Sequence, residues 1–110
     1  MITNSDISSI DRCYFEVLEA TSFFIDLRSR NTGHFWHLLY TEANGHITFR
    51  ISHKHHAHNA FHPQASAPSV SEACAYIKKH DAYHLRREKE KASRREARRL
   101  SQQETPDFPE

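Results

Sequence analysis

The dipeptide Asn44-Gly45 constrains this chain more than any other feature. Both residues tolerate the positive φ that a two-residue type I′ turn requires, and such a turn joins neighbouring antiparallel strands. A turn of that length also sets the register. Ala43 must oppose His46, Tyr40 must oppose Phe49, Leu38 must oppose Ile51, and Trp36 must oppose His53. Strand side chains alternate between the two faces of a sheet. One face of the hairpin therefore carries Trp36, Leu38, Tyr40, Ile47, Phe49 and Ile51, and the other carries His37, Leu39, Thr41, Thr48, Arg50 and Ser52. An apolar face and a mostly polar face emerge with no adjustment, which is what a half-buried sheet requires. Strands are expected over 34–41 and from about 46 to 52.

The flanking segments follow from periodicity. Phe23, Ile25 and Leu27 alternate with Asp26 and Arg28, so 23–30 reads as a third strand, closed by the turn signal Asn31-Thr32-Gly33. Near the start, Ile7, Ile10, Tyr14, Val17, Leu18 and Thr21 recur at spacings of three and four. That pattern predicts a helix capped by Asn4 or Ser5, with Asp6 and Asp11 suited to its positive end. Cys13, Phe15 and Val17 also alternate, so a strand over 13–21 is the competing assignment. The stretch 53–68 is small, polar and proline-containing, and reads as a loop. It leads into a capping box, Ser69-Val70-Ser71-Glu72, and then an apolar stripe of Val70, Ala73, Cys74 and Ile77, with His84 and Leu85 further along it.

Beyond Leu85 the stripe stops. Residues 86–100 are good helix formers, but only Ala92, Ala97 and Leu100 among them are apolar. Pairing of Glu90 with Arg86 and Arg94, and of Glu96 with Arg99, would support a helix running out into solvent. The expected fold class is α+β: an α-β-β-β-α two-layer sandwich with a three-stranded antiparallel meander and a long charged C-terminal helix. The chain divides into a compact domain over 1–85, a basic solvent-exposed extension over 86–100 and a flexible tail over 101–110. Its element order resembles that of double-stranded-RNA-binding domains, but Ser69 to Ile77 lacks the lysine cluster with which that family holds phosphates. The resemblance is one of topology alone.

Composition sets aside several function classes. Hydrophobic residues make up 37% of the chain, below the roughly 45–50% of ordinary globular proteins, which fits a small core with polar appendages. No run approaches the ~18 apolar residues of a membrane span. Residues 1–6 form neither a basic nor an apolar leader, so no secretory signal is expected. Two cysteines, Cys13 and Cys74, are too few for a disulfide scaffold. Both fall on apolar patterns and are expected to be buried and inert, so a reduced, cytoplasmic setting is the default. With only two glycines, Gly33 and Gly45, Gly-rich phosphate loops are excluded.

The formal net charge of +1 hides a strong asymmetry. Residues 78–100 hold 10 basic and 4 acidic groups, a net +6; residues 1–77 hold 5 and 7, a net −2; the last ten residues give −3. Arg86, Arg87, Lys89, Lys91, Arg94, Arg95, Arg98 and Arg99 lie beyond the last core position and form the candidate binding surface. Arginine grips phosphate with two hydrogen bonds, so nucleic acid or a ribonucleoprotein is the leading partner, and an acidic protein surface is the second. The basic segment contains no Asn or Gln, which argues against base-specific readout.

Ten histidines are several times the number expected for this length, which is about two or three. His53, His55, His56, His58 and His62 crowd into one short stretch, and His58 and His62 stand four apart. His80 and His84 are also four apart, which puts two imidazoles on one helical face, the geometry of paired metal ligands. The candidate metal set is His80, His84, His55, His58 and His62, for Zn²⁺ or another divalent ion such as Ni²⁺ or Cu²⁺. Protonation of the loop histidines near pH 6–6.5 or so would alternatively add charge beside the basic helix. Catalysis has little support. His46-Ile47-Thr48 resembles half of the paired motif of two-histidine phosphoesterases, but no second copy exists. The expectation is a small non-enzymatic binding module that docks through its basic helix. A protein-binding inhibitor or adaptor, of the kind mobile elements carry, and a histidine-rich metal-binding protein are the alternatives. A homodimer through a free sheet edge or the long helix is compatible with the pattern.

Overall fold

The computed structural model describes residues 1–103. Its elements are α1 (Asn4–Ser8), β1 (Phe15–Ala20), β2 (Phe24–Ser29), β3 (Phe35–Ala43), β4 (His46–Lys54), β5 (His62–Ala67) and α2 (Val70–Gln103). The strands form one antiparallel sheet in sequence order, and α2 lies across one face of it. This is the expected α+β arrangement with five strands in the meander rather than three, so the element order of the RNA-binding domains is not matched.

The hairpin forms as the turn dictates. Asn44 and Gly45 both have positive φ, 53° and 76°, and Ala43 pairs with His46, Tyr40 with Phe49, Leu38 with Ile51 and Trp36 with His53. Trp36, Leu38 and Ile51 are wholly or almost wholly buried. Ile47 shares their face but lies near the turn, beyond the reach of α2, and is exposed.

Two segments differ from the sequence reading. The first helix is one turn, capped by Thr3 through a capping box with Asp6, and Asn4 and Ser5 lie inside it. The remainder becomes β1, because Phe15 and Val17 can face the core while the backbone pairs with β2. A register shift between Val17 and Glu19 turns Leu18 outward. That bulge interrupts the two-residue period and produces the adjacent apolar pair that imitates a helical repeat. Cys13, expected on an apolar face, is exposed, because the turn after Asp11 carries it outward; Cys74 is buried. The second difference lies in the expected loop over 53–68. β4 continues to Lys54, and His62–Ala67 forms the edge strand β5. Its inward residues Ala65 and Ala67 are small, so α2 can pass close above, and Pro63 is tolerated because an edge strand leaves one side of its backbone unpaired.

The core lies between sheet and helix. Phe15, Ile25, Leu27, Trp36, Leu38 and Ile51 meet Val70, Ala73 and Ile77, and Ile2 and Ile10 close one end. Burial of each large aliphatic side chain contributes roughly 1.5–3 kcal/mol. Ser69 caps α2 by accepting the Glu72 amide at 3.1 Å. A buried polar pin fixes the helix laterally: Asp81, fully buried, accepts hydrogen bonds from Tyr14 Oη at 2.6 Å and Thr32 Oγ1 at 3.2 Å. From Leu85 onward α2 has no buried residue among those described. Residues 101–103, expected in the tail, close the helix, and 104–110 lie outside the described residues.

Candidate functional site

Two features converge where α2 leaves the sheet. The first is a knot of imidazoles. His53 occupies the inward position opposite Trp36 near the end of β4 and is almost fully buried. His34 precedes β3, where its carbonyl accepts the Ser29 amide at 2.9 Å and its own amide donates to Thr32 Oγ1 at 3.1 Å. Its ring lies 3.1 Å from His53, Nδ1 to Nε2. His55 follows β4 and stacks on His34 with ring centres 4.1 Å apart. From above, α2 presents His80 towards Trp36 and His53, and one turn later His84 against His34 and His55. His62, at the start of β5, pairs with His53.

The donor atoms of His34, His55 and His84 lie within 4.8 Å of one another. Burial, and then repulsion from neighbouring imidazolium charges, pushes His34 down to about 4 and His53 down to about 3. The same causes lower His55 and His80. Asp81 opposes the shift at His34 and at His80. At neutral pH the lowered rings are therefore uncharged and keep a nitrogen lone pair free for a ligand or a hydrogen bond. His80 Nδ1 is buried and has no hydrogen-bond partner among the described residues.

Of the expected metal set, His55 and His84 meet, and His80 and His62 lie at the margin against His53. His58 does not join them, since it stacks on His56 within the turn between β4 and β5. His34 and His53 were not in the expected set. The hairpin register already held their signal. It places His53 opposite Trp36 on the apolar face, and Phe35 pairs with Lys54, so His34 and His55 are the next opposed positions.

The second feature is the extension of α2. All eight expected cations are exposed, but they are not equivalent. At 100° per residue, Arg87, Lys91, Arg94, Arg95 and Arg98 share an arc of about 100° that continues the line of His80 and His84. No acidic residue lies within that arc; Glu88 and Glu90 flank it. Arg86 and Lys89 lie on the far side, and Arg99 is held by Glu96 through Nε at 3.1 Å and Nη2 at 2.5 Å, as expected. Glu90 reaches neither Arg86 nor Arg94; among the described residues the other ion pair of the extension joins Lys91 to Glu88 at 3.7 Å. Comparison with protein-family models, with curated proteins and with solved structures gives no match. Among the described residues no helix is long and apolar enough to cross a membrane.

Proposed function

We propose that this chain is a non-enzymatic binding module that lays the basic stripe of its projecting helix on the phosphates of a nucleic acid. The observation behind this reading is the placement of Arg87, Lys91, Arg94, Arg95 and Arg98 on one uncovered side of a helix that has left its sheet. Like charges one turn apart repel and weaken a helix, so repulsion within the stripe works against the isolated helix. A polyanion reverses the sign of that term. The segment 86–103 extends for about 27 Å, and a helix of ~10–12 Å diameter matches the width of a DNA major groove. Four of the five cations are arginines, which bind phosphate through paired donors. Across 86–100 the helix carries no Asn or Gln, which points to backbone contact without base readout.

The test is fluorescence anisotropy with mixed-sequence DNA and RNA duplexes at several salt concentrations. Five phosphate contacts give a log–log slope of about −4.5, a loss of roughly 500-fold between about 50 and about 200 mM salt. Charge reversal of Lys91, Arg95 and Arg98 to Glu removes binding and flattens the slope, whereas reversal of Arg86 and Lys89 has a smaller effect. No salt-sensitive binding at low salt refutes the reading. Equal affinity for polyglutamate at matched charge also overturns it, in favour of an acidic protein partner.

A further inference from the structure

We propose that His34, His55 and His84 form a binding site for one divalent zinc ion at the root of the projecting helix. Each comes from a different segment: the turn before β3, the bend just after β4 and the last packed turn of α2. The three donors lie within 4.8 Å of one another, and tetrahedral zinc with nitrogen ligands needs them about 3.4 Å apart. His55 is exposed and sits where β4 gives way to the connecting turn, so it is free to move inward. To ligate beside His34 it must rotate out of its stack on that ring.

His34 is already set for the role. A ligating imidazole almost always engages a partner through its other nitrogen, which fixes tautomer and orientation. His34 Nδ1 lies 3.1 Å from His53 Nε2, which leaves Nε2 of His34 for the metal. His53 is itself held by Trp36 and His80. An all-imidazole donor set suits zinc, copper and nickel far better than calcium or magnesium. Glu88, one turn past His84, lines the same cleft as the three histidines, so a fourth position opens towards a carboxylate and solvent.

Packing alone gives no account of this arrangement. The positions of His34 and His53 are nearly solvent-free, and apolar side chains there would avoid the cost of burying two polar rings. The buried, unpartnered His80 Nδ1 adds a further cost at the same place. A bound cation would tie the two strand ends to α2 and fix the direction in which the helix projects. It would also add positive charge where the basic stripe begins. The site stands on residues other than the stripe, so it does not depend on nucleic-acid binding.

The experiment uses the full chain without a histidine tag, stripped with chelator and titrated with zinc against a chromophoric competitor. The expected result is one equivalent of zinc bound and a melting temperature raised by roughly 10–20 °C at a hundredfold excess over Kd. His55→Ala and His84→Ala, at exposed and half-exposed positions that the fold tolerates, each weaken zinc binding more than tenfold. His56→Ala and His58→Ala, from the same turn but outside the triad, leave it unchanged. His34→Ala abolishes binding, and circular dichroism of that variant separates loss of a ligand from loss of fold. Absence of stoichiometric binding to the native chain overturns the proposal. So does an equal loss in the His56 and His58 variants, which would signify a diffuse histidine-rich surface.

Discussion

Replacement of Asp81 by Ala isolates the polar pin that joins α2 to the rest of the molecule. Its carboxylate is fully buried and accepts two hydroxyl hydrogen bonds, from Tyr14 and Thr32. The variant leaves both donors without their acceptor and opens a small cavity beneath the helix. A buried donor stripped of its partner costs about 1–3 kcal/mol. Tyr14 and Thr32 are half-buried and recover part of that from water, so the lower end of the range applies to each. The total comes to about 2–4 kcal/mol, a large share of the 5–15 or so kcal/mol that stabilises an ordinary domain. Urea denaturation followed by circular dichroism reads this as a lower midpoint at unchanged slope. The Tyr14→Phe background gives the decisive comparison. If the two residues act through one hydrogen bond, Asp81→Ala costs at least ~0.5 kcal/mol less there than in the native chain. Tyr14 ionisation is a second readout, since burial and then the bond to Asp81 raise its pKa, and the second contribution disappears in the variant. A midpoint within about 0.5 kcal/mol of the native value, or strict additivity with Tyr14→Phe, would refute the pin.

Acid should destabilise the metal-free fold through His34 and His53. Their folded values, about 4 and about 3, lie below the unfolded value of 6.5. The unfolded chain therefore takes up protons first, and stability present above about pH 6.5 is lost as pH falls towards those folded values, by about 2 kcal/mol per histidine between roughly pH 7 and pH 5. Urea midpoints in the presence of chelator test this, and a midpoint independent of pH over that interval contradicts it. Ile77→Ala removes a fully buried side chain at the centre of the helix–sheet contact and should cost about 2–5 kcal/mol by the same assay. Gly45→Ala meets no neighbour within 4 Å, so its loss of about 1–2 kcal/mol comes from backbone conformation alone, and a neutral result would disprove a strict type I′ turn. Thiol titration at pH ~8 should count one fast cysteine in the folded chain, Cys13, and two in urea, because burial pushes the Cys74 thiol up to about 11.

The sequence by itself determined what depends on neighbours along the chain. Asn44-Gly45 specified a turn and, through it, every pair of the central hairpin. Ser69 to Glu72 specified where α2 begins, and the charge asymmetry specified which part of it would be left in water. The histidine excess was visible too, as was the i,i+4 pair of His80 and His84. Tertiary structure decided the rest. The segment 15–20 carries both a helical and a strand spacing, and only its pairing with β2, accommodated by the bulge at Leu18, settles the choice. The strand β5 has no strong apolar signature, because the residues it turns towards α2 are the small Ala65 and Ala67. Most of all, the meeting of His34, His55 and His84 requires the hairpin to bring its two ends together and the helix to cross above them. Residues far apart in the chain become ligands of one candidate site through packing, and no local spacing encodes that.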